Sequence, residues 1–221
     1  MFIKLINLIV LISRGNSLLR SFQIIECKSI ILSGISIEFG ASKNNNKNFN
    51  THFDGKSNFW LSNIYNIKNQ NYIKINLTKK FKINKNYFNN VLIFNVLEHL
   101  EDSNLFFRDI KKSIKKNGYI IGSTPFLYQI HKAPLDYYRF SKDFFYKTKK
   151  KFDYKKVIVK SLGYGPFTAS YSIMFGLIKF FPIFREVILI LSFILDSFVQ
   201  IFVKTNLKEI YPIGYFFILK K

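Results

Sequence analysis

Cysteine is almost absent from the chain, and histidine is rare. The one cysteine among 221 residues, Cys27, excludes a disulfide framework and a zinc site built from cysteines. A single thiol also favours a reducing compartment, so we expect a cytoplasmic protein. The three histidines are scattered without the spacing that metal ligands show, and we therefore predict no metal site.

Acidic residues are scarce as well. The chain has 13 Asp and Glu against 34 Lys and Arg, which gives a formal net charge of +21. Such a charge attracts nucleic acid, anionic lipid or a phosphorylated substrate. The lysines are spread along the chain, however, whereas a specific nucleic-acid footprint is clustered. The pattern indicates a solvated basic surface and argues against nucleic acid as the partner.

Long uninterrupted apolar runs are missing from the N-terminal segment, 1–15. This segment is apolar up to residue 12, but Lys4 and Asn7 interrupt it. It is too short to span a bilayer, and it lacks the basic region and the small-residue cleavage site of a signal peptide. We expect a packing helix or an interfacial segment here.

A second apolar region, 166–205, precedes the last predicted strand. Its charged residues up to position 203 are Lys179, Arg185, Glu186 and Asp196. The run 187–203 is at the lower limit for spanning a bilayer. Pro182 and Arg185 divide the region into two helical halves, which favours a hairpin lying at a membrane interface. A buried helical lid and a dimer contact are the alternatives.

The remaining chain alternates between strand and helix patterns. Apolar patterns predict strands at 35–39, 58–61, 72–75, 91–94, 119–123, 156–161 and 215–219. Helical spacing predicts helices at 17–33, 102–118 and 144–151, the first stopped by Gly34 and the second by Asn117 and Gly118. This order predicts an α/β fold with a doubly wound sheet.

A glycine turn follows the first predicted strand. The strand 35–39 leads directly into Gly40, Ala41 and Ser42. In α/β folds, the polar groups of a ligand bind at such turns, at the carboxyl ends of the strands. We therefore expect a ligand cleft at this turn.

Several motifs resemble a known family. Asn95–Asp102 (NVLEHLED), a helix and Lys116–Ile120 (KNGYI) are similar to the region around the end of strand four in the type 11 class I S-adenosylmethionine-dependent methyltransferases. Ser123–Tyr128 (STPFLY) and His131–Phe140 (HKAPLDYYRF) resemble the signature of a subgroup found among sugar- and envelope-related methyltransferases. Tyr211–Phe217 (YPIGYFF) is similar to the last strand of that subgroup.

The resemblance implies a Rossmann-like class I methyltransferase sheet with flanking helices. It implies one domain over 1–221, with 166–205 as an apolar helical insertion before the last strand. S-adenosylmethionine is the cofactor that it implies. By analogy with the family, the cofactor-binding residues are Glu38, Gly40, Ser42, Ser62, Asn63, Asn76 and Asn95.

Several of these positions depart from the family pattern. Ser42 stands where a second glycine is usual, and Ser62 or Asn63 replaces the carboxylate that grips the ribose hydroxyls. Asn76 stands where an aspartate is common, and Asn89 replaces the acid that usually opens strand four. A neutral side chain binds ribose more weakly than a carboxylate does. We therefore expect an aspartate at position 63 to strengthen cofactor binding.

The segment 131–140 is the candidate acceptor site. Its histidine suits a base and its arginine suits an anionic group. We predict His131 as the catalytic residue and the following residues as substrate-binding: His99, Asp136, Tyr137 and Arg139. The alternative is that Asp136 and Arg139 pair with each other and brace the loop around Pro134.

Three functions are consistent with the sequence. The first is methyl transfer to a small or a lipid- or glycan-linked acceptor, with peripheral membrane contact through 166–205. The second is a catalytically inactive methyltransferase-like binding protein, which the missing carboxylate motivates. The third, motivated only by the charge, is a nucleic-acid methyltransferase or binder.

Overall fold

The computed structural model describes residues 2–44, 47–66, 71–81, 83–132 and 135–221. The strands are β1 (Gly34–Phe39), β2 (Ser57–Asn63), β3 (Tyr72–Lys74), β4 (Phe88–Phe94), β5 (Ile114–Pro125), β6 (Lys156–Leu162) and β7 (Gly214–Lys220). The α-helices are α1 (Phe2–Ser13), α2 (Leu18–Cys27), α3 (Ser103–Ser113), α4 (Lys142–Lys151), α5 (Pro166–Ile178), α6 (Pro182–Phe202) and α7 (Leu207–Ile210). Phe49–His52 and Leu97–His99 form short 3-10 turns.

The strands form one sheet in the order β3-β2-β1-β4-β5-β7-β6. β1 pairs in parallel with β2 on one side and with β4 on the other, and β2–β3 and β4–β5 are also parallel pairs. The direction in which the chain adds strands reverses between β1 and β4. A ligand cleft forms outside the carboxyl ends of the strands at such a switch point. The predicted Rossmann-like sheet is confirmed.

The first helix–strand boundary differs from the prediction. α2 ends at Cys27, and Gly34 begins β1 instead of stopping a helix. Gly34 has a φ of +76°, and a Cβ atom there would lie 2.5 Å from the side chain of Asn89. The Asn89 Oδ1 accepts a hydrogen bond from the N–H of Ile35 at 3.1 Å. Asn89 therefore holds the start of β1.

α3 begins as predicted but ends earlier. Asp102 is its N-cap, and the Asp102 carboxylate accepts two backbone N–H groups of the first turn. The helix ends at Ser113, because the fully buried Ile114 already pairs with β4. The predicted stop at Asn117 and Gly118 lies within β5, where the pairing with β4 is irregular.

The described chain divides into two compact units. The first comprises Met1–Glu26, Pro125–Ile130 and Ser161–Tyr215. The second comprises Cys27–Thr124, His131–Lys160 and Phe216–Lys221, and it contains the carboxyl ends of β1 to β4. A single domain over 1–221 stays a prediction.

In the first unit, α5 and α6 pack against each other and confirm the two predicted helical halves. The Asp196 side chain on α6 is buried, and its carboxylate accepts the N–H groups of Phe167 at 2.8 Å and Thr168 at 2.9 Å. Asp196 therefore caps the N-terminus of α5. α1, the helix predicted within 1–15, contacts α6. Among the described residues, no helix combines the length and the hydropathy that crossing a membrane requires.

Candidate functional site

A cleft of about 330 Å³ opens at the carboxyl ends of β1 to β4 in the second unit. Its lining residues are Phe39, Gly40, Ser62, Asn63, Ile64, Tyr65, Ile75, Asn76, Leu77, Thr78, Asn95, Val96, His99 and Leu100. Gly40 makes the turn after β1 with a φ of +73°, and a Cβ atom there would lie 2.4 Å from Val96 Cγ2. Glycine therefore lets the turn after β1 approach the turn after β4.

The end of β2 contributes Ser62 and Asn63 to the cleft. Ser62 is fully buried, and its Oγ has no hydrogen-bond partner in the described part of the chain. Asn63 uses both ends of its amide locally: Nδ2 donates to the Ala41 carbonyl oxygen at 2.7 Å, and Oδ1 accepts from the N–H of Ile64 at 2.6 Å. Of these two side chains, Ser62 therefore has the oxygen without a hydrogen-bond partner in the described residues.

Asn76 and Asn95 complete the polar lining from the other strand ends. The Asn76 Oδ1 accepts hydrogen bonds from the N–H of Thr78 at 2.9 Å and from its hydroxyl at 2.7 Å. Asn95 has a φ of +53°, and its N–H donates to the Ser123 carbonyl oxygen at 2.9 Å. The described cleft lining includes no carboxylate. This agrees with the departures noted in the sequence.

The loop 131–140 docks on the 3-10 turn Leu97–His99, also within the second unit. The carbonyl oxygen of Glu98 accepts the N–H of Tyr137 at 2.8 Å and the N–H of Tyr138 at 3.3 Å. Ala133 and Pro134, part of the motif in this loop, lie outside the described residues. The docking brings the loop to the turn that follows β4.

Asp136 and Arg139 pair and brace this loop. The Arg139 guanidinium donates to both carboxylate oxygens of Asp136, at 2.7 Å for Oδ2, and the N–H of His131 donates to Oδ2 at 2.9 Å. The hydrogen bonds from Arg139 hold the pKa of Asp136 well below its usual range, although burial opposes this shift. The same hydrogen bonds raise the pKa of Arg139. This is the bracing pair that the sequence left as an alternative.

Comparison with known proteins gives a family match over part of the chain. The family model of the type 11 methyltransferase domain matches residues 47–122. The fold is similar to that of an S-adenosylmethionine-dependent methyltransferase from Archaeoglobus fulgidus, with a TM-score of 0.57 at 12% identity over 96% of this chain and 94% of that chain. Residues 47–122 therefore match the type 11 methyltransferase domain, and the chain has the class I methyltransferase fold.

Other methyltransferases share the fold. Phosphoethanolamine N-methyltransferase 2 of Haemonchus contortus, in complex with S-adenosyl-L-methionine, is similar over 90% of this chain with a TM-score of 0.56 at 12% identity. This chain spans about half of that protein, 52% of its length. A Mesorhizobium loti methyltransferase has a TM-score of 0.54 at 11% identity, over 95% of this chain and 100% of that chain.

No curated protein matches the sequence. The predicted fold class is confirmed, and the predicted family is matched over residues 47–122. The match and the S-adenosylmethionine-dependent methyltransferases that share the fold agree with the predicted enzyme class and cofactor.

The residues of the cleft fit S-adenosylmethionine. It contains several predicted cofactor-binding residues, namely Gly40, Ser62, Asn63, Asn76 and Asn95. The buried Ser62 hydroxyl stands at the strand end where the family binds ribose, and Gly40 leaves space for close approach to the backbone. Apolar side chains such as Ile75 and Leu77 offer a surface for the adenine base.

Two of the predicted cofactor-binding residues, Glu38 and Ser42, lie outside the described cleft lining. Each carboxylate oxygen of the buried Glu38 accepts a backbone N–H, from Phe49 and from Asn50, both at 2.8 Å. The N–H of Ser42 donates to the Asn48 Oδ1 at 2.5 Å. Glu38 and Ser42 therefore hold the segment after the glycine turn. Direct contact of either residue with the cofactor stays a prediction.

One cluster of side chains was not predicted from the sequence. The docked loop brings His131 Nε2 to 3.6 Å from Glu98 Oε1, and His99 Nε2 lies 3.9 Å from the same oxygen. The rings of His99 and His131 meet edge to face, with centroids 4.9 Å apart. The two histidines are far apart in the chain, so spacing gave no sign of the cluster. Glu98, the acid directly before His99, was the only local sign of the cluster in the sequence.

Proposed function

We propose that the protein transfers the methyl group of S-adenosylmethionine to a small or a lipid- or glycan-linked acceptor. The supporting observation is the buried Ser62 Oγ, which has no hydrogen-bond partner in the described chain although it stands in the cleft wall. An unsatisfied buried hydroxyl costs about 1–3 kcal/mol, and a ribose hydroxyl removes that cost. The cofactor supplies a methyl group activated by a sulfonium, and the cleft residues bind and orient it.

The acceptor side is proposed to lie at His99, His131 and Tyr137. His99 lines the cleft, and its Nδ1 donates to a carbonyl oxygen of the loop at 2.5 Å. Tyr137 is 43% exposed. The Asp136 side chain is only 2% exposed and is paired with Arg139, so these two residues are proposed to support the loop. The role of His131 as a general base stays a prediction.

Cofactor binding is tested with Ser62→Ala. Calorimetry with S-adenosylmethionine is expected to show about fivefold weaker binding, because a neutral hydrogen bond contributes about 1 kcal/mol. Ser172→Ala is the matched control, since Ser172 is a second buried serine whose hydroxyl has no hydrogen-bond partner in the described chain, and it lies on α5. A folded chain that binds no cofactor at millimolar concentration contradicts the enzyme proposal.

The second candidate is a methyltransferase-like binding protein without catalysis. The absence of a carboxylate from the described cleft lining favours it. A transfer assay with a labelled methyl group and glycan or lipid acceptors distinguishes the two candidate functions. Cofactor binding without transfer to any acceptor class supports the second candidate.

The hairpin α5–α6 is proposed to contact an anionic membrane surface. On α6 three polar residues are buried, with Arg185 and Ser192 at 6% exposure and Asp196 at 0%. Several apolar residues of α6 are exposed, with Ile183 at 82% and Ile201 at 77% exposure. This inverted arrangement suits an apolar environment outside the helix, and the net charge of +21 suits anionic lipid. We propose peripheral attachment at the cytoplasmic face.

Vesicle binding of Ile183→Asp tests this contact. With vesicles of phosphatidylglycerol and phosphatidylcholine, the variant is expected to bind at least about tenfold more weakly, because a buried isoleucine contributes about 1.5–3 kcal/mol. The control is Ile31→Asp, since Ile31 is 79% exposed but lies in the second unit. Equal binding of both variants contradicts the membrane proposal. A concentration-dependent dimer without vesicle binding supports the dimer contact instead.

A further inference from the structure

We propose that Glu98, His99 and His131 form a binding site for a divalent transition-metal ion, with Zn²⁺ as the best-suited ion. One ligand atom from each side chain lies within 4.8 Å of the other two. The site combines a carboxylate with two imidazoles, which is a ligand set typical of zinc and non-haem iron. The proposal does not rest on methyl transfer, because it follows from these contacts alone.

Both imidazoles present the same ring nitrogen to the carboxylate. His99 Nδ1 donates to the Leu135 carbonyl oxygen at 2.5 Å, so the Nε2 lone pair of the neutral ring is available to a metal. His131 Nδ1 lies 3.6 Å from Asp136 Oδ2. Metal-binding histidines usually have a carbonyl or a carboxylate behind the nitrogen that is not a ligand. His99 shows this arrangement, and at His131 a carboxylate stands behind Nδ1 at a distance longer than a hydrogen bond.

The burial of Glu98 supplies an independent reason to expect a cation. Its side chain is 0% exposed, and in the described chain neither carboxylate oxygen has a hydrogen-bond partner. Arg139 interacts with Glu98 through space, while its guanidinium donates to Asp136. A buried carboxylate without a hydrogen bond is costly, and buried charges are usually paired or bound to metal. A metal ion removes this cost.

The distances are close to those of a tetrahedral site. With zinc–ligand bonds of about 2.1 Å, two ligand atoms stand about 3.4 Å apart. The Nε2 atoms of His131 and His99 lie 3.6 and 3.9 Å from Glu98 Oε1, so small side-chain movements close the site. Imidazole ligands disfavour Mg²⁺ and Ca²⁺, which prefer oxygen. Three protein ligands leave one position open.

The metal-ligand role differs from the predicted base role of His131. An imidazole nitrogen bound to a metal has no lone pair left to accept a proton. Because His99 also lines the cleft, an ion held by this cluster lies beside the cofactor site. Its open position would then be available to an oxygen of the acceptor.

The test is metal binding by the full chain after treatment with a chelator. Calorimetry with Zn²⁺ and absorption spectroscopy with Co²⁺ are expected to show one ion per chain. His99→Ala, His131→Ala and Glu98→Gln are each expected to lower the affinity by at least about 100-fold, since even outer-sphere changes cost about 10- to 100-fold. His52→Ala is the matched control, because His52 is the one remaining histidine and lies outside the cluster.

X-ray absorption on the zinc-loaded native chain covers the case in which a variant fails to fold. A spectrum that shows two imidazole ligands on the zinc ion supports the site. A spectrum that shows no imidazole in the coordination sphere of the zinc ion overturns it. Absence of binding overturns it too, as does an equal loss of affinity in His52→Ala. Cofactor binding is measured in a separate experiment with Ser62→Ala, in the presence of a chelator. A failure of the metal site is thereby distinguished from a failure of the proposed methyltransferase function.

Discussion

Gly40 meets two constraints that other residue types do not meet together. Its φ of +73° is strained for any residue with a side chain, and the space beside it is filled by Val96 Cγ2, 2.4 Å from where a Cβ atom would stand. The turn after β1 and the turn after β4 are therefore shaped as a pair. The position of this glycine in a turn was predictable from the strand that precedes it, whereas its close approach to Val96 was not.

Gly40→Ala is expected to cost more than its backbone strain alone. Gly15→Ala is the control, because Gly15 has a φ of +87° and a Cβ atom there would meet no other atom within 4 Å. We expect about 1–2 kcal/mol of lost unfolding free energy in the control and about 1–3 kcal/mol more in Gly40→Ala. Urea unfolding measures both. Adding Val96→Ala is expected to recover part of the loss, and equal costs for the two glycines would refute the packing argument.

At the scale of helices and strands, the elements that have strong local sequence patterns were predicted from the sequence. Asp102 as the N-cap of α3 was predictable, because capping depends on neighbouring residues. The end of α3 was not, because burial of Ile114 against β4 overrides the stop signal of Asn117 and Gly118. The histidine cluster was not predictable either. It depends on docking of the loop 131–140 on the backbone of Glu98, which no local pattern encodes.

Asp196→Ala is expected to destabilise the hairpin by about 2–4 kcal/mol, because two N–H groups at the start of α5, one buried and one part-buried, lose their acceptor. Asp102→Ala removes an exposed cap of α3 and is expected to cost about 1 kcal/mol. Chemical denaturation followed by circular dichroism compares the two variants. A cost for Asp196→Ala no larger than that for Asp102→Ala would show that burial adds nothing to this cap.

At the scale of the whole molecule, two features act together on partners. The net charge of +21 acts at long range and without specificity, whereas the outward apolar side chains of α6 act at contact. The charge alone would suit nucleic acid as well as lipid. Of these two partners, the apolar surface suits lipid and not nucleic acid, and this is why the membrane proposal is preferred to the nucleic-acid hypothesis.

The salt dependence of vesicle binding distinguishes the contribution of the net charge from that of the apolar side chains of α6. Raising the ionic strength from about 0.1 to about 1 M shortens the screening length from about 10 to about 3 Å. At the higher ionic strength, the native chain is expected to bind vesicles more weakly but still measurably. Ile183→Asp is expected to abolish this remaining binding. Co-sedimentation measures both. Complete loss of native binding in high salt would assign the attachment to charge alone.

The local hydrogen bonds of Asn63 restrict how a charged ribose site could be built at the end of β2. The sequence suggested that an aspartate at position 63 would strengthen cofactor binding. The Asn63 Nδ2, however, donates to the Ala41 carbonyl oxygen at 2.7 Å, and an aspartate would place an oxygen there against another oxygen. The substitution Asn63→Asp would therefore disturb the glycine turn that it was meant to serve. At position 62, where the serine Oγ has no hydrogen-bond partner in the described chain, a substitution would break no such bond.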